Sequence, residues 1–341
     1  MPTNTNSSLD PEQMRALEVL RSEQRFVLVG HVHPDGDCVG AQAALSRVLE
    51  KLGKEVWVIN PDPVQAQFDY LAKECRYRTY TGADLPLHDV VVLLDFCEMD
   101  RCGALAEPLR KAPSKKMIID HHLFHGEPWW DVAFVDRSAS ATGLIVRRVA
   151  AALGVEIDSA AAHGVFTSIV TDTGWFKYSN TDAETLRVAS EMIALGVVPS
   201  DVFQAIYQRN SRGQPRAIAR VLERLEYFDD GRLAVVDLPL AQGGQADLSD
   251  SDEVLDILRA VGTVEAVLFL RETADGACKL SARSKGARDV NRLARAFNGG
   301  GHAKASGATL PGPLAEARGR LIAAALELWP PIAAERADAV K

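Results

Sequence analysis

The sequence predicts an α/β fold, with a doubly wound parallel sheet in an N-terminal domain and a smaller α/β domain after it. Short apolar runs, such as Phe26 to Gly30 and Val90 to Leu94, alternate with longer segments of helical periodicity. This alternation is typical of parallel strands covered by helices. The pattern changes at about Leu222, after which longer strand-like runs dominate. A chain of 341 residues is long enough for two domains that each bury a core.

Helix and strand signals follow one another along the N-terminal domain. Asp10 followed by Pro11 is typical of a helix N-cap with proline in the first turn, and the apolar spacing carries that helix to about Ser22. Short apolar runs predict buried strands, and apolar residues three or four apart predict helices. Strands are predicted at 26–30, 55–59, 90–94 and 117–119, and helices at 39–52, 141–153, 160–170 and 183–195.

A connecting segment and a second α/β pattern make up the rest of the chain. Residues 199–220 predict a linker helix, which includes the basic residues Arg212 and Arg216. Strands are predicted at 233–238, 264–272 and 278–283, with helices near 251–261 and 290–297. The sequence therefore predicts an N-terminal domain over 10–198, a linker over 199–220 and a C-terminal domain over 221–330.

Composition and charge exclude several classes of protein. The net charge of −8 argues against a long nucleic-acid duplex as partner, because such a partner normally requires a strongly basic surface. A short phosphorylated ligand stays compatible with it. The five cysteines are scattered and include no C-x-x-C pair, so we expect free thiols in a reducing compartment. With no signal peptide and no apolar run long enough for a bilayer, we expect a cytoplasmic protein without a membrane partner.

Acidic residues and histidines gather where the predicted strands end. The segment GHVHPDGDCVGA overlaps the end of the first strand, Asp95 follows the run at 90–94, and Asp120 follows the strand at 117–119. Carboxyl ends of parallel strands meet at one edge of a sheet, where open α/β folds bind ligands. Asp172 follows a predicted helix and can reach this edge from outside the sheet. The full set is His31, Asp35, Asp37, Asp95, Asp120, His121, His122 and Asp172.

The chemistry of this set is that of a metal centre. An acidic residue beside a buried strand is unfavourable unless something cationic pairs with it. Taken alone, the first segment is also typical of a solvated turn, and Asp95 is also typical of a helix N-cap. A shared metal centre explains all the groups together. Carboxylates and imidazoles suit Mn²⁺ or Mg²⁺, whereas thiolates are typical of structural zinc, and the sequence does not separate Mn²⁺ from Mg²⁺ or Co²⁺.

A glycine-rich segment in the C-terminal domain predicts an anion-binding site. The run Gly299-Gly300-Gly301 precedes His302, and such a run can bring backbone N–H groups close to a ligand. Arg283 and Ser284 come at the end of a predicted strand, and an arginine suits bidentate recognition of phosphate. Further basic residues of this corner are Arg288, Arg292, Arg295 and Lys304.

These segments resemble the DHH phosphoesterase superfamily. That superfamily takes its name from an Asp-His-His run, present here as Asp120-His121-His122, and the segment from Thr171 to Phe176 is similar to its fourth motif. The segment from Gly299 to Gly307 resembles the signature of the DHH-associated substrate domain. Similar segments run from about residue 26 to residue 310, and the short two-domain layout is similar to the NrnA-like branch rather than to longer RecJ-type exonucleases.

The resemblance implies two divalent ions, with Asp95 bridging them and His122 facing the substrate phosphate. The residues implied for the first ion are His31, Asp35 and Asp95. The residues implied for the second are Asp37, Asp95, His121 and Asp172. The resemblance also implies that the C-terminal domain binds a nucleotide, and the substrate-binding residues we predict there are Arg283, Ser284, Gly299, Gly300, Gly301 and His302.

The implied activity is hydrolysis of short oligoribonucleotides to mononucleotides and removal of phosphate from 3′-phosphoadenosine 5′-phosphate (pAp). We expect two divalent ions, Mn²⁺ first, with Mg²⁺ or Co²⁺ as alternatives. The partners would be short RNA and small phosphorylated nucleotides. Two alternatives stay open: a phosphodiesterase of pApA or cyclic dinucleotides, and a non-catalytic nucleotide sensor. A pyrophosphatase would share the metal motifs but would not explain the GGGH segment. The sequence leaves the oligomeric state open, a homodimer included.

Overall fold

Two six-stranded sheets organise the chain, one in each of two units that divide between Arg209 and Asn210. The computed structural model describes residues 9–124, 126–241 and 252–329. Both units combine a sheet with helices, which confirms the predicted α/β class. All five cysteines are buried and carry free thiols. Within the described ranges, no helix is both long and apolar enough to cross a membrane.

The sheet of the first unit is parallel throughout, as the apolar runs predict. Its strands are β1 (Arg25–Val29), β2 (Glu55–Asn60), β3 (Tyr77–Thr79), β4 (Val90–Leu94), β5 (Lys115–Asp120) and β6 (Val132–Val135). Their spatial order is β3-β2-β1-β4-β5-β6, so the winding direction reverses between β1 and β4. Open α/β sheets bind ligands at such a reversal, beyond the carboxyl ends of the strands.

Alternate residues of the strands enter two separate cores, one on each face of this sheet. Phe26 and Leu28 pack on one side, and Val27 and Val29 pack on the other. The helices of the unit are α1 (Pro11–Ser22), α2 (Gly36–Lys51), α3 (Ala106–Lys111), α4 (Thr142–Leu153), α5 (Ser159–Asp172), α6 (Ala183–Ala194) and α7 (Pro199–Tyr207). Three 3₁₀ helices join them, at Ala66–Phe68, Leu71–Lys73 and Met99–Leu105.

Two helices extend further than the apolar spacing predicts, and both extensions concern the predicted site. The helix α2 begins at Gly36 because Asp35 caps it and accepts a hydrogen bond from the Cys38 amide at 3.1 Å. Asp37 therefore lies in a helical turn instead of a loop. The helix α5 continues to Asp172, which becomes its last residue.

The helices α2 and α5 touch through their backbones at two glycines. A Cβ atom on Gly40 would lie 2.5 Å from the carbonyl oxygen of Gly164, and one on Gly164 would lie 2.6 Å from that of Gly40. Only glycine permits this approach. It brings the first turn of α2, with Asp37, close to the last turns of α5.

The second unit has a mixed sheet in which only β8 and β9 run parallel. Its strands are β7 (Glu226–Phe228), β8 (Leu233–Leu238), β9 (Ala266–Glu272), β10 (Ala277–Ser284), β11 (Gly300–His302) and β12 (Ala305–Pro311), in the order β11-β12-β10-β9-β8-β7. Its helices are α8 (Gln214–Leu222), α9 (Asp252–Arg259), α10 (Val290–Arg295) and α11 (Leu314–Leu328).

Several predicted elements of the second half differ from the structure. The segment 199–220, predicted as one linker helix, contains two helices, α7 and α8, on either side of the division between the units. Gly300 and Gly301 of the glycine-rich run lie in the edge strand β11, where no strand was predicted. The helix predicted at 251–261 begins at a residue outside the described ranges, and the C-terminal boundary at 330 also lies outside them.

Candidate functional site

The structure brings all six predicted metal ligands together at the edge where the strand order of the first unit reverses. His31 follows β1 and Asp95 follows β4, the two strands on either side of the reversal. His121 follows β5, while the helices α2 and α5 contribute carboxylates from outside the sheet. Among the described residues, three groups have donor atoms within 4.8 Å of one another. Two of them contain the six predicted ligands, His31 with Asp35 and Asp95, and Asp37 with His121 and Asp172, and the third joins Asp95 to Asp120, His121 and His122.

Asp95 lies between these two groups. Its Oδ2 atom is 3.6 Å from His31 Nε2, and its Oδ1 atom is 3.5 Å from His121 Nε2. The residue is buried, and its backbone adopts a left-handed conformation with φ of 72°. Such a conformation costs free energy in a residue other than glycine, and it persists where the surrounding structure requires it. Asp95 thus offers one carboxylate oxygen to each histidine.

The other carboxylates complete the groups at similar distances. His31 Nε2 lies 3.8 Å from an oxygen of Asp35. His121 Nε2 lies 3.4 Å from Asp37 Oδ2 and 3.9 Å from Asp172 Oδ2. These separations are too long for good hydrogen bonds. They suit pairs of atoms that bind the same small divalent ion at about 2.1 Å each.

The two histidine rings are oriented as metal-binding imidazoles are. The Nδ1 atom of His121 donates to the carbonyl oxygen of Ala139 at 3.1 Å, and that of His31 donates to Val32 at 2.8 Å. Each ring therefore turns Nε2 toward the carboxylates, and Nε2 of His121 is buried without a hydrogen-bond partner. A carbonyl acceptor on one ring nitrogen commonly fixes the tautomer of a metal ligand. The donor set fits divalent cations.

The electrostatics of the cluster favour positive charge. Burial lowers the pKa of His121, but the nearby carboxylates of Asp37 and Asp95 outweigh burial and raise that pKa to about 12. The pKa of His31 is likewise raised to about 10 by Asp35 and Asp95, against the effect of burial. Burial and the charge of Asp95 raise the pKa of Asp37 to about 8. These raised pKa values show that the cluster attracts positive charge. Divalent cations bound there would displace the protons, since metal ligands must be deprotonated.

Several polar residues that the sequence analysis missed hold these carboxylates in place. The amide of Thr142 donates to both oxygens of Asp37, at 3.0 Å each, and its hydroxyl donates to Asp95 Oδ1 at 3.0 Å. The hydroxyl of Ser168 also donates to Asp37, and Asn180 Nδ2 donates to Asp172 at 3.1 Å. The strand β6, which leads to Thr142, is four residues long, so no sequence signal marked the loop after it as part of the sheet edge.

Asp120 supports its neighbours from a fully buried position. Its Oδ1 atom accepts hydrogen bonds from the amides of His121 and His122 and from His122 Nδ1, and its Oδ2 atom accepts one from the Cys97 thiol at 2.8 Å. Burial lowers the pKa of His122, but Asp120 and the charge of Asp95 raise it above its usual value. The carboxylate of Asp120 is thus occupied by four donors, and it fixes the orientation of His122.

In the second unit, the sheet register aligns Arg283 with His302. Both residues pair with Ala305, from opposite sides of β12. Directly paired residues of antiparallel strands project from the same face, so the arginine and the histidine flank a small alanine. Gly300 and Gly307 pair beside them on this face. A Cβ atom added at Gly300 would meet nothing within 4 Å, so this part of the face is open.

The remaining residues predicted to bind substrate have structural contacts. A Cβ atom on Gly299 would lie 2.1 Å from the carbonyl oxygen of Gly307, and Gly301 has φ of 129°. Both positions therefore require glycine for the backbone path. The hydroxyl of Ser284 is buried and donates to the carbonyl oxygens of Arg288 and Ala303.

Two of the basic residues near the glycine-rich run, Arg288 and Lys304, contact groups within the second unit. Arg288 is buried and pairs with Asp229 and Glu265. The ammonium group of Lys304 donates to the carbonyl oxygens of Gly286 and Arg288. These two cations are therefore held by groups of their own unit. A buried cation requires a partner, which these contacts provide.

Known proteins are similar to this chain in both sequence and fold. Residues 25–169 match the DHH family N-terminal domain, and residues 230–329 match the DHHA1 domain. The chain is 34% identical over 306 residues to a Thermus thermophilus protein named bifunctional oligoribonuclease and PAP phosphatase NrnA, covering 88% of this chain and 89% of that protein. It is 27% identical over 291 residues to a Bacillus subtilis protein of the same name, covering 84% of this chain and 89% of that protein.

A solved structure is similar over nearly the whole length. The crystal structure of an exopolyphosphatase-related protein from Bacteroides fragilis has a TM-score of 0.86 and 28% sequence identity, covering 93% of this chain and 96% of that one. Its coverage includes both units described above, and so do the two domain matches. The chain therefore belongs to the DHH family, with a DHHA1 domain after its N-terminal DHH domain.

Proposed function

We propose that this chain is a metal-dependent phosphoesterase that hydrolyses short oligoribonucleotides to mononucleotides and removes phosphate from pAp. The observation that carries the proposal is the position of Asp95, which offers one carboxylate oxygen to each of two histidine-containing groups. A shared carboxylate suits the spacing of about 3.5–4 Å at which two-metal hydrolases hold their ions. The names of the Thermus and Bacillus relatives support the choice of substrates.

We assign the ligands to two ions that share Asp95. The first ion would be held by His31, Asp35 and Asp95, and the second by Asp37, Asp95, His121 and Asp172. This donor set of carboxylate oxygens and imidazole nitrogens favours Mn²⁺, with Mg²⁺ or Co²⁺ as alternatives. Divalent ions bound there would lower the pKa of bound water to about 7 and would stabilise the negative charge of the reacting phosphate.

His122 would act on the substrate. Because Nδ1 of its ring donates to Asp120, we assign the contact with a substrate phosphate to Nε2. The raised pKa of His122 favours the protonated imidazole, which would donate a hydrogen bond to a phosphoryl oxygen or a proton to the leaving oxygen. Thr142, Ser168 and Asn180 would keep the ligand carboxylates aligned during the reaction.

The DHHA1 domain would bind the nucleotide. Arg283 and His302 would contact a phosphate from the open face of the sheet, since guanidinium and imidazolium groups suit phosphate oxygens. The bare backbone at Gly300 would leave room for the ligand. Gly299 and Gly301 would shape the backbone, and Ser284 would support the end of β10 from beneath.

Location and assembly complete the proposal. We propose a cytoplasmic enzyme, because the five cysteines carry free thiols. A homodimer is the assembly we propose to test, by light scattering of the purified protein. A mass equal to one chain would reject it.

Product analysis in the presence of Mn²⁺ tests the proposed activity. Wild-type protein and Asp95→Asn are offered pAp, pApA, a 5′-labelled RNA five-mer, a long RNA and pyrophosphate in parallel. We expect phosphate from pAp and stepwise release of mononucleotides from the five-mer, both absent in the variant. Turnover of pApA alone or of pyrophosphate alone would contradict the proposal, and tight nucleotide binding without turnover would indicate a sensor.

A further inference from the structure

Thr142 is the first residue of α4, and it contacts two predicted ligands through different atoms. Its amide donates to Asp37, and its hydroxyl donates to Asp95. We propose that Thr142 is a positioning residue that stabilises one of the two metal positions, the one built on His121, in preference to the one built on His31. This inference rests on the proposed function, because it requires the two metal positions.

The contact with Asp95 is specific to one of its two oxygens. The hydroxyl of Thr142 lies 3.0 Å from Oδ1, the atom that faces His121. The Oδ2 atom faces His31 instead, and no hydrogen-bond donor to it is found among the residues that the structure describes. One lone pair of Oδ1 accepts the hydrogen bond from the hydroxyl. The carboxylate is thereby held with its other Oδ1 lone pair directed toward the position of the second ion.

The contact with Asp37 acts on the same metal position. The Thr142 amide lies 3.0 Å from each oxygen of Asp37, and the Oδ2 atom of that carboxylate is 3.4 Å from His121 Nε2. Asp35, which belongs to the His31 group, is oriented separately by the Cys38 amide in α2. Both hydrogen bonds of Thr142 thus concern the His121 group.

The position of Thr142 is rigid. Its side chain is fully buried, and its hydroxyl is held by the hydrogen bond to Asp95. The next residue, Gly143, donates its amide to Ser168 Oγ at 2.7 Å, and a Cβ atom there would lie 2.3 Å from the same oxygen. The start of α4 is therefore held in place from α5, and the hydroxyl of Thr142 has little freedom to turn away from Asp95.

Mn²⁺ binding without substrate tests the inference, using Thr142→Val and Thr142→Ser. Valine keeps the shape and the backbone amide but removes the hydroxyl, whereas serine retains it. We expect wild-type protein to bind two ions, and Thr142→Val to bind one of them about 10- to 100-fold more weakly, as for other residues that orient metal ligands. Thr142→Ser should restore most of the affinity. Calorimetry gives both affinities, and thermal unfolding confirms that the variants fold.

Single-position backgrounds identify which ion is affected. In His31→Ala, where the His121 position is retained, adding Thr142→Val should weaken the remaining ion. In His121→Ala the same change should have little effect. Thr167→Val is the matched control, because the hydroxyl of this buried threonine on α5 forms hydrogen bonds with the His163 carbonyl oxygen and the Tyr70 hydroxyl, neither of them a predicted ligand.

The outcomes separate the inference from the proposed function. Equal weakening of both ions, an unchanged isotherm, or a serine variant as weak as the valine variant would overturn the role of Thr142 while leaving the phosphoesterase proposal intact. Binding of no divalent ion by wild-type protein would overturn the two-metal assignment and this inference with it.

Discussion

The Nδ1 atom of His122 lies 2.8 Å from Oδ1 of Asp120, within a fully formed set of hydrogen bonds to that carboxylate. The ring is thereby held with its Nδ1 proton directed into the protein. His121, its neighbour in sequence, instead donates Nδ1 to Ala139 and turns Nε2 toward the carboxylate cluster. Adjacent histidines thus have different surroundings, which supports a ligand role for His121 and a substrate role for His122.

We expect His122→Gln to lower kcat by about 10²–10⁴-fold, the usual contribution of a general acid or base. Its affinity for Mn²⁺ should stay close to that of wild-type protein, because the ring does not belong to either proposed ligand group. Steady-state hydrolysis of pAp and calorimetry with Mn²⁺ measure the two effects. Loss of an ion in this variant would show that His122 is a ligand and would contradict our division of roles.

The Cys97 thiol should contribute to catalysis through Asp120. It donates to Asp120 Oδ2 at 2.8 Å, and the Cys97 carbonyl oxygen accepts a hydrogen bond from the Trp129 indole. We expect Cys97→Ala to lower kcat for pAp by about tenfold with little change in KM, since the hydrogen bond that orients Asp120 is lost. Cys97→Ser, which keeps a donor, should stay near wild type. Equal activity of the alanine and serine variants would mean that the contact is only structural.

The sheet edge of the first unit could be predicted from sequence because its signals are local. The apolar runs before His31 and Asp95 mark buried strands, and each polar residue follows its strand directly. The partners of the ligands could not be predicted in this way. Thr142 lies 105 residues from Asp37, and only the packing of α2 against α4 and α5 brings them together.

In the second unit, the strands at one edge of the sheet could not be predicted from the sequence. The strands β11 and β12 contain glycine, alanine and serine, which have low strand propensity, so the glycine-rich run resembles a loop in sequence. The pairing of β11 with β12 determines which of these glycines the backbone path requires and which one lies beside open space. Arg288 likewise gives no sequence signal of burial, because its partner Asp229 lies 59 residues away.

Gly299, which precedes β11, and Gly300, its first residue, should therefore respond differently to alanine. Gly299→Ala would push a Cβ atom to 2.1 Å from a backbone oxygen of Gly307, which should destabilise the second unit by about 1–3 kcal/mol. Gly300→Ala meets open space, so its stability should match wild type while its KM for pAp rises. Urea unfolding and steady-state kinetics test the pair. An unchanged KM in Gly300→Ala would argue against nucleotide binding at this face.

Acid stability should depend on Asp89 at the start of the sheet. The Arg25 guanidinium and nearby amides donate to this carboxylate and lower its pKa to about 2, below the value of about 3.9 for an unfolded chain. A lowered pKa means that ionised Asp89 stabilises the fold above about pH 4, and that this contribution is lost as the pH falls toward 2.

The variant Asp89→Asn tests this directly. We expect it to be less stable than wild type by about 1 kcal/mol near neutral pH, a modest value because the pair is partly exposed to solvent. The difference should shrink below about pH 4. The exposed Asp84, replaced by Asn, is the control. A difference that is constant with pH would show that the effect does not come from the charge of Asp89.

The most direct test of the two-metal account is a titration of metal-free protein with Mn²⁺ that follows bound ions and pAp hydrolysis together. We expect two ions to bind per chain and hydrolysis to rise with the second, because Asp95 presents an oxygen to each position. In Asp95→Asn, both binding and hydrolysis should be severely reduced. Full activity with a single bound ion, or activity in the presence of a chelator, would contradict the account.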